Sequence, residues 1–117
     1  MELSKQVTSL ELSKRLKELE IKQKSLWYWI EYKKGDWELY LKGTESFNFW
    51  RNKSRLSAFT VAELGEMLKE TRPELDNPFP SYGLITKRWF LLTEDGNIEA
   101  KTEANARAKT IIYLKGI

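Results

Sequence analysis

The chain contains no cysteine and no histidine. Without cysteine it has no disulfide and no thiolate metal site, which is consistent with a reducing compartment. The absence of both residue types also excludes Ser-His-Asp and Cys-His nucleophiles and the ordinary zinc sites. The six glycines never fall in the order of a dinucleotide-binding loop or a P-loop. These absences predict no catalytic residues, no metal and no cofactor, and favour binding over catalysis.

Long apolar runs and a large net charge are also missing. Nothing in the sequence approaches the ~20 apolar residues that cross a bilayer, and the first residues lack the pattern of a signal peptide. We therefore expect no membrane association and a cytoplasmic location. The net charge of +3 suits an anionic partner without requiring one. A length of 117 residues predicts a single domain spanning residues 1–117.

Apolar periodicity predicts three helices, each preceded by a threonine that serves as N-cap. Thr8 opens a capping box and a helix over residues 9–19. Thr60 opens a second box and helix, which Arg72-Pro73 stops because the residue before proline avoids helical torsions. Thr102 opens the third helix, which Gly116 ends.

Two hairpins are predicted between these helices. Strands over residues 26–33 and 37–42 flank Lys34-Gly35-Asp36, and strands over 84–93 and 98–101 flank Asp95-Gly96. The resulting order is α-β-β-α-β-β-α, an α+β fold in which the two antiparallel hairpins form a mainly antiparallel, four-stranded sheet packed by three helices. Two segments have no clear period, residues 43–57 and the proline-containing stretch 72–83, and both are candidate contact loops. The aspartates, Asp36, Asp76 and Asp95, have turn contexts that explain them without catalysis.

The most unusual segment is the aromatic strand that starts at Trp27-Tyr28-Trp29. Alternate strand residues face opposite sides, so Tyr28 and Ile30 are expected on one face and Trp27 and Trp29 on the other. The alternation of Trp37, Leu39 and Leu41 predicts that these join Tyr28 and Ile30 in the core. Trp27 and Trp29 then either pack in a second core or form a surface on which a base stacks.

Two further segments mix rings with positive charge. The stretch from Phe49 to Arg55 includes Trp50 and Arg51 and is the most basic cluster. It is either an anion-binding loop or a surface loop anchored by its aromatic rings. Lys87-Arg88-Trp89 places an aromatic ring beside two positive charges, and Lys87 and Trp89 are expected on one face of the strand. The segment either binds a phosphate and a ring together or is a solvated charge pair next to a core tryptophan.

Three blocks stand out in the sequence: residues 9–19 with Lys22-Gln23 and Trp27-Tyr28-Trp29, residues 57–68, and residues 103–109 with Tyr113-Leu114. Together they resemble a family of small, mostly uncharacterised proteins of bacteriophages and prophages. Glu20 stands where members of that family often have glycine. The resemblance implies an accessory phage protein that acts inside an infected bacterium, plausibly against host defence.

Chemistry and context together predict a non-catalytic protein that sequesters a small anionic nucleotide, such as a nucleotide immune signal, in an aromatic and basic pocket of a homo-oligomer. The alternatives are a module that inhibits a host protein by docking on it, and a single-stranded nucleic-acid binder. The candidate stacking residues are Trp27, Trp29 and Trp50, and the candidate phosphate ligands are Arg51, Arg55, Arg88 and Arg107.

Overall fold

A computed structural model describes residues 2–71, 79–93 and 95–115. The α+β class and the predicted order of helices and hairpins are confirmed. Within the described residues, no helix is both long and apolar enough to cross a membrane. The expectations for Arg72-Pro73, Asp76 and Gly116 fall outside the described residues. After a short 3-10 helix, Leu3–Lys5, the elements are α1 (Leu10–Glu18), β1 (Trp27–Lys33), β2 (Asp36–Leu41), α2 (Glu45–Phe49), β3 (Arg55–Ala58), α3 (Val61–Thr71), β4 (Ser81–Gly83), β5 (Arg88–Thr93), β6 (Gly96–Ala100) and α4 (Glu103–Lys115).

Helices α1, α3 and α4 enclose the main core. Phe59, at the entrance to α3, is fully buried between them. The capping box at Thr60 is confirmed, since its hydroxyl accepts from the Glu63 N–H and the Glu63 carboxylate accepts from the Thr60 N–H. Thr102 likewise accepts from the Asn105 N–H at 3.2 Å. The buried side chains of this core are Leu16, Phe59, Leu64, Leu68, Ala104, Ala108 and Ile111.

The prediction that Thr8 caps α1 is wrong. Ser9 is the N-cap, because its hydroxyl accepts from the Leu12 N–H at 3.3 Å. Thr8 is instead fully buried, and its hydroxyl accepts from the Phe59 N–H and shares a 2.7 Å hydrogen bond with Ser13. With the adjacent bridge between Val7 and Thr60, this ties the N-terminal segment to the start of α3.

The first hairpin contains a β-bulge, and the bulge overturns one prediction. A regular ladder from the tight turn would pair Ile30 with Leu39, but one extra residue, Tyr32, shifts the register so that Ile30 pairs with Glu38. A register shift of one residue turns every side chain of a strand to the opposite face of the sheet. Trp37, Leu39 and Leu41 therefore share a face with Trp27 and Trp29, and Tyr40 is the residue that joins Tyr28.

The aperiodic stretch 43–57 forms most of α2 and β3. Thr44 caps α2 by accepting from the Phe47 N–H, and Phe47 packs on Tyr28 with ring centroids 5.4 Å apart. This short helix covers the buried face of Tyr28 and Ile30. Strand β3 pairs antiparallel with β1, which completes a sheet of order β2-β1-β3.

The second hairpin forms a sheet of its own. Within the described residues, β4 pairs with β5 and β5 with β6, so the predicted four-stranded sheet is instead two three-stranded sheets. Strand β3 pairs with the edge of β1 opposite β2, so the first sheet is completed without the second hairpin. Strand β5 begins at Arg88, and the preceding residues form a turn in which Lys87 has a positive φ of 55°.

Candidate functional site

The structure separates the seven residues predicted to bind ligand. Trp27 and Trp29 are half-buried in the first sheet. The indole Nε1 of Trp29 donates a 2.9 Å hydrogen bond to the carbonyl oxygen of Thr8, so this ring packs against the N-terminal segment. That hydrogen bond satisfies the indole N–H within the protein, which is a structural use of the Trp29 ring.

Trp50 and Arg55 lie on the other face of the first sheet. The Trp50 ring is half-buried against Tyr32, at 6.1 Å between centroids. The guanidinium of Arg55 lies 5.4 Å from the centre of the Phe47 ring, within the range of a cation–π contact. Arg51 is exposed, and its Nη1 donates at 3.4 Å to the carbonyl oxygen of Asn48. Within the loop 49–55, Trp50 and Arg55 therefore contact rings of the first sheet, while Arg51 stays at the surface.

Arg107 has a clear structural role. Its Nη2 donates to the Glu103 carboxylate at 2.7 Å, and its Nη1 donates to the Val61 carbonyl oxygen at 3.1 Å. The same guanidinium lies 4.6 Å from the centre of the Phe79 ring. Arg107 therefore holds the starts of α3 and α4 together, and Gly65 gives it the room to do so.

A cleft combining rings with positive charge does exist, at a different place from the predicted one. We call it the aromatic cleft; its volume is about 390 Å³, within the range of small-molecule sites. It lies between the 3-10 helix, the start of α3, the second sheet and the start of α4. Its lining residues are Lys5, Gln6, Val61, Tyr82, Trp89, Lys101, Thr102 and Glu103.

The two rings of the aromatic cleft are placed by strand pairing. Tyr82 in β4 pairs directly with Trp89 in β5, and their ring centroids are 5.3 Å apart at an angle of 55°. On its other side Trp89 pairs with Ala100 in β6. Tyr82 keeps 43% of its surface exposed. A planar ligand can therefore reach the pair from solvent.

The charges at the aromatic cleft favour an anion. Lys5 and Lys101 are both exposed, and neither forms an ion pair within the part of the chain that the structure describes. The carboxylate of Glu103 is neutralised by Arg107 at 2.7 Å. Two cations thus face the opening, while the acid of the lining is already paired. In addition, α4 begins here, and the partial positive charge of a helix N-terminus attracts anions.

Of this lining, the sequence indicated Trp89 alone, as part of Lys87-Arg88-Trp89. Tyr82 lies in a proline-containing stretch without periodicity, and Lys5 is brought to the cleft by the long-range bridge at Val7. The one available signal was Thr102, whose cap position places Lys101 at a helix start. Among the described residues no group of three metal-ligating side chains comes together.

Comparison of the chain with protein-family models, with curated proteins and with solved structures finds no match in any of the three. The molecule is therefore assigned to a class by its fold and its cleft: an α+β protein of two three-stranded antiparallel sheets and a helical core, with an aromatic cleft flanked by two lysines.

Proposed function

We propose that this protein binds a small anionic nucleotide in the aromatic cleft and holds it without turnover. The observation that carries the proposal is the placement of the Tyr82–Trp89 ring pair beside Lys5 and Lys101 in one cleft. A base stacked on aromatic rings gains ~1–3 kcal/mol. Lysine ammonium groups at the opening supply the charge that a phosphate needs.

The biological setting is part of the same proposal. The resemblance to bacteriophage and prophage accessory proteins suggests that the chain acts in the cytoplasm of an infected bacterium. There, a protein that removes a nucleotide immune signal by binding it would counter a host defence. The absence of histidine and cysteine from the sequence supports sequestration, since a binding protein of this kind needs no general base and no nucleophile.

Calorimetric titration of the full chain with adenosine monophosphate tests the proposal directly. Tyr82→Ala removes an exposed stacking ring and is expected to weaken binding roughly ten-fold, given ~1–3 kcal/mol per stacked base. Lys101→Gln removes one cation of the cleft and is expected to weaken binding and to reduce its salt dependence. Chromatography of the nucleotide after incubation should recover it unchanged.

Arg51→Gln is the matched control for Lys101→Gln. It removes the same charge from an exposed position in loop 49–55, which does not line the aromatic cleft, and is expected to leave affinity unchanged. If Arg51→Gln weakens binding and Lys101→Gln does not, the nucleotide binds at the loop and the aromatic cleft is the wrong site. The proposed function fails if two results agree: mass spectrometry finds no nucleotide on protein purified from bacteria that produce a nucleotide immune signal, and calorimetry detects no binding of added nucleotide.

Docking on a protein is the second candidate function, and one observation favours it. Leu84 and Ile85, in the turn between β4 and β5, are 84% and 97% exposed, and Leu92 in β5 is 73% exposed. Exposed apolar patches commonly mark protein contacts. The discriminating measurement is a pull-down that yields a stoichiometric partner in high salt and loses it in a Leu84→Ser/Ile85→Ser variant. Sedimentation of the unmodified protein and of this double variant would test the predicted homo-oligomer.

A further inference from the structure

A second cleft adjoins the aromatic cleft, and Lys101 lines both of them. This second cleft, called the basic cleft below, has a volume of about 320 Å³. It lies between the start of α1, the end of β6 and the first two turns of α4. Three of its lining side chains are cations and one is an acid. The lining residues are Ser9, Glu11, Leu12, Arg88, Ala100, Lys101, Asn105 and Lys109.

Strand and helix geometry explain why the two clefts are neighbours. Trp89 pairs with Ala100, so the residues next to them, Arg88 and Lys101, lie at the same end of the β5–β6 ladder. Trp89 lines the aromatic cleft, and the preceding residue of β5, Arg88, lines the basic cleft. On α4, Glu103 lines the first cleft and Lys109 lines the second, about 9 Å further along the helix axis at 1.5 Å per residue.

The basic cleft keeps positive charge available after its internal contacts are counted. Arg88 Nε lies 3.6 Å from a Glu99 carboxylate oxygen, and this buried atom has no hydrogen-bond acceptor among the described residues. The Lys109 ammonium donates one hydrogen bond, at 2.7 Å, to the Glu99 carbonyl oxygen. Glu11 is exposed at the edge. Three cations thus outnumber the two nearby carboxylates of Glu11 and Glu99.

Building on the nucleotide binding proposed above, we propose that the two clefts hold one ligand, a nucleotide with more than one phosphate. The base stacks at Tyr82 and Trp89, the first phosphate lies at Lys101, and the next phosphate lies at Arg88 and Lys109. Glu103 of the aromatic cleft and Lys109 of the basic cleft are separated by a rise of about 9 Å along α4, and both clefts share Lys101, so one extended ligand can reach both. Nucleoside polyphosphates and short oligonucleotides share this chemistry.

Titration of the full chain with three probes tests the extended site. Adenosine monophosphate reports on the aromatic cleft, adenosine diphosphate adds a phosphate in a pyrophosphate, and the linear dinucleotide pApA adds one in a phosphodiester. At least one of the last two is expected to bind about ten-fold more tightly than the monophosphate. Its salt dependence should also be steeper, because salt screens each additional contact between a phosphate and a cation. The probe that binds more tightly shows whether the second phosphate belongs to a pyrophosphate or to a phosphodiester.

The Lys109→Gln variant tests whether any gain in affinity over adenosine monophosphate comes from the basic cleft. It is expected to lower the affinity for the favoured probe toward that of adenosine monophosphate and to leave monophosphate binding unchanged, which also verifies the fold. Lys17→Gln, at an exposed position of α1, is the matched control. If all three probes bind equally tightly, or if Lys109→Gln has no effect, the extended site is wrong and the aromatic cleft stands. If none of the three binds, the proposed function itself fails.

Discussion

Gly65 and Arg107 are packed so closely that no other residue fits at position 65 without displacing the arginine. A Cβ at Gly65 would lie 2.5 Å from Nη1 of Arg107, the atom that donates to the Val61 carbonyl oxygen. Gly65→Ala in a helix ordinarily stabilises by about 1 kcal/mol. Here we expect a net loss of about 1 kcal/mol, because hydrogen bonds of a charged group, worth ~1.5–3 kcal/mol each, are disturbed.

The sign of this effect should reverse once the arginine is gone. In an Arg107→Gln background the shorter side chain leaves room for a Cβ, so Gly65→Ala should then stabilise by about 1 kcal/mol through helix propensity. Urea unfolding of the four proteins of this cycle gives the measurement. An unchanged sign in both backgrounds would mean that Arg107 moves aside at no cost.

Glu20 ends α1 in a left-handed conformation, with φ of 63°. The Ile21 N–H donates to the Leu16 carbonyl oxygen and the Glu20 N–H to that of Lys17, which together form a Schellman motif. Glycine has no penalty at this position, so Glu20→Gly should raise the free energy of unfolding by ~1 kcal/mol. Glu20→Ala removes the same charge and should give no such gain. Thermal unfolding of both variants separates backbone strain from charge.

Thr8 satisfies two buried polar groups with one hydroxyl, the N–H of Phe59 and the hydroxyl of Ser13. Thr8→Val keeps the shape of the side chain and leaves both groups without this partner, at a cost of ~1–3 kcal/mol. Thr86→Val, at an exposed turn position, should change stability by less than about 0.5 kcal/mol. Equal effects for the two substitutions would contradict the buried network.

The phenol of Tyr40, in the first sheet, is expected to make the stability of the protein depend on pH in the alkaline range. Burial, followed by the hydrogen bond and the charge of Glu38, raises the pKa of its phenol above the ordinary value of 10.0. The folded state then holds this proton where the unfolded chain loses it, so the contribution is complete below pH 10 and disappears as pH rises through the folded pKa. Between pH 9 and 11.5, the stability of Tyr40→Phe should fall less steeply than that of the unmodified protein. Glu38→Gln should lower the phenol pKa, which NMR titration would detect.

The parts of the fold that follow from local sequence were predictable. The capping box at Thr60 and the hairpin around Asp95-Gly96 depend on neighbouring residues, and both hairpins and all three long helices are present. The bulge at Tyr32 was not predictable, because nothing near it in the sequence forces an extra residue into the ladder. Strand β3 was missed since Leu56, Ser57 and Ala58 are all buried and show no alternation.

The candidate site was harder to predict, because it too depends on contacts between residues that are distant in the sequence. Tryptophans and arginines were assigned to a ligand by composition, but Trp29 and Arg107 find protein partners that lie far away in the sequence. Lys5 and Tyr82 reach the aromatic cleft through a β-bridge and a three-residue strand, both of which are contacts that only the tertiary structure specifies. Composition indicated rings and positive charge, but which of these side chains meet in one cleft depends on contacts between residues distant in sequence.

The aromatic cleft is lined by residues from separate parts of the chain: 5–6, 61, 82, 89 and 101–103. A ligand seated there fastens the N-terminal segment, the second sheet and α4 to one another, and at a hundred times its dissociation constant would add about 2.7 kcal/mol to the free energy of unfolding. Amide hydrogen exchange should therefore slow in the helical core as well as beside the ligand. In a chain without a single disulfide, the bound nucleotide would serve as a reversible cross-link.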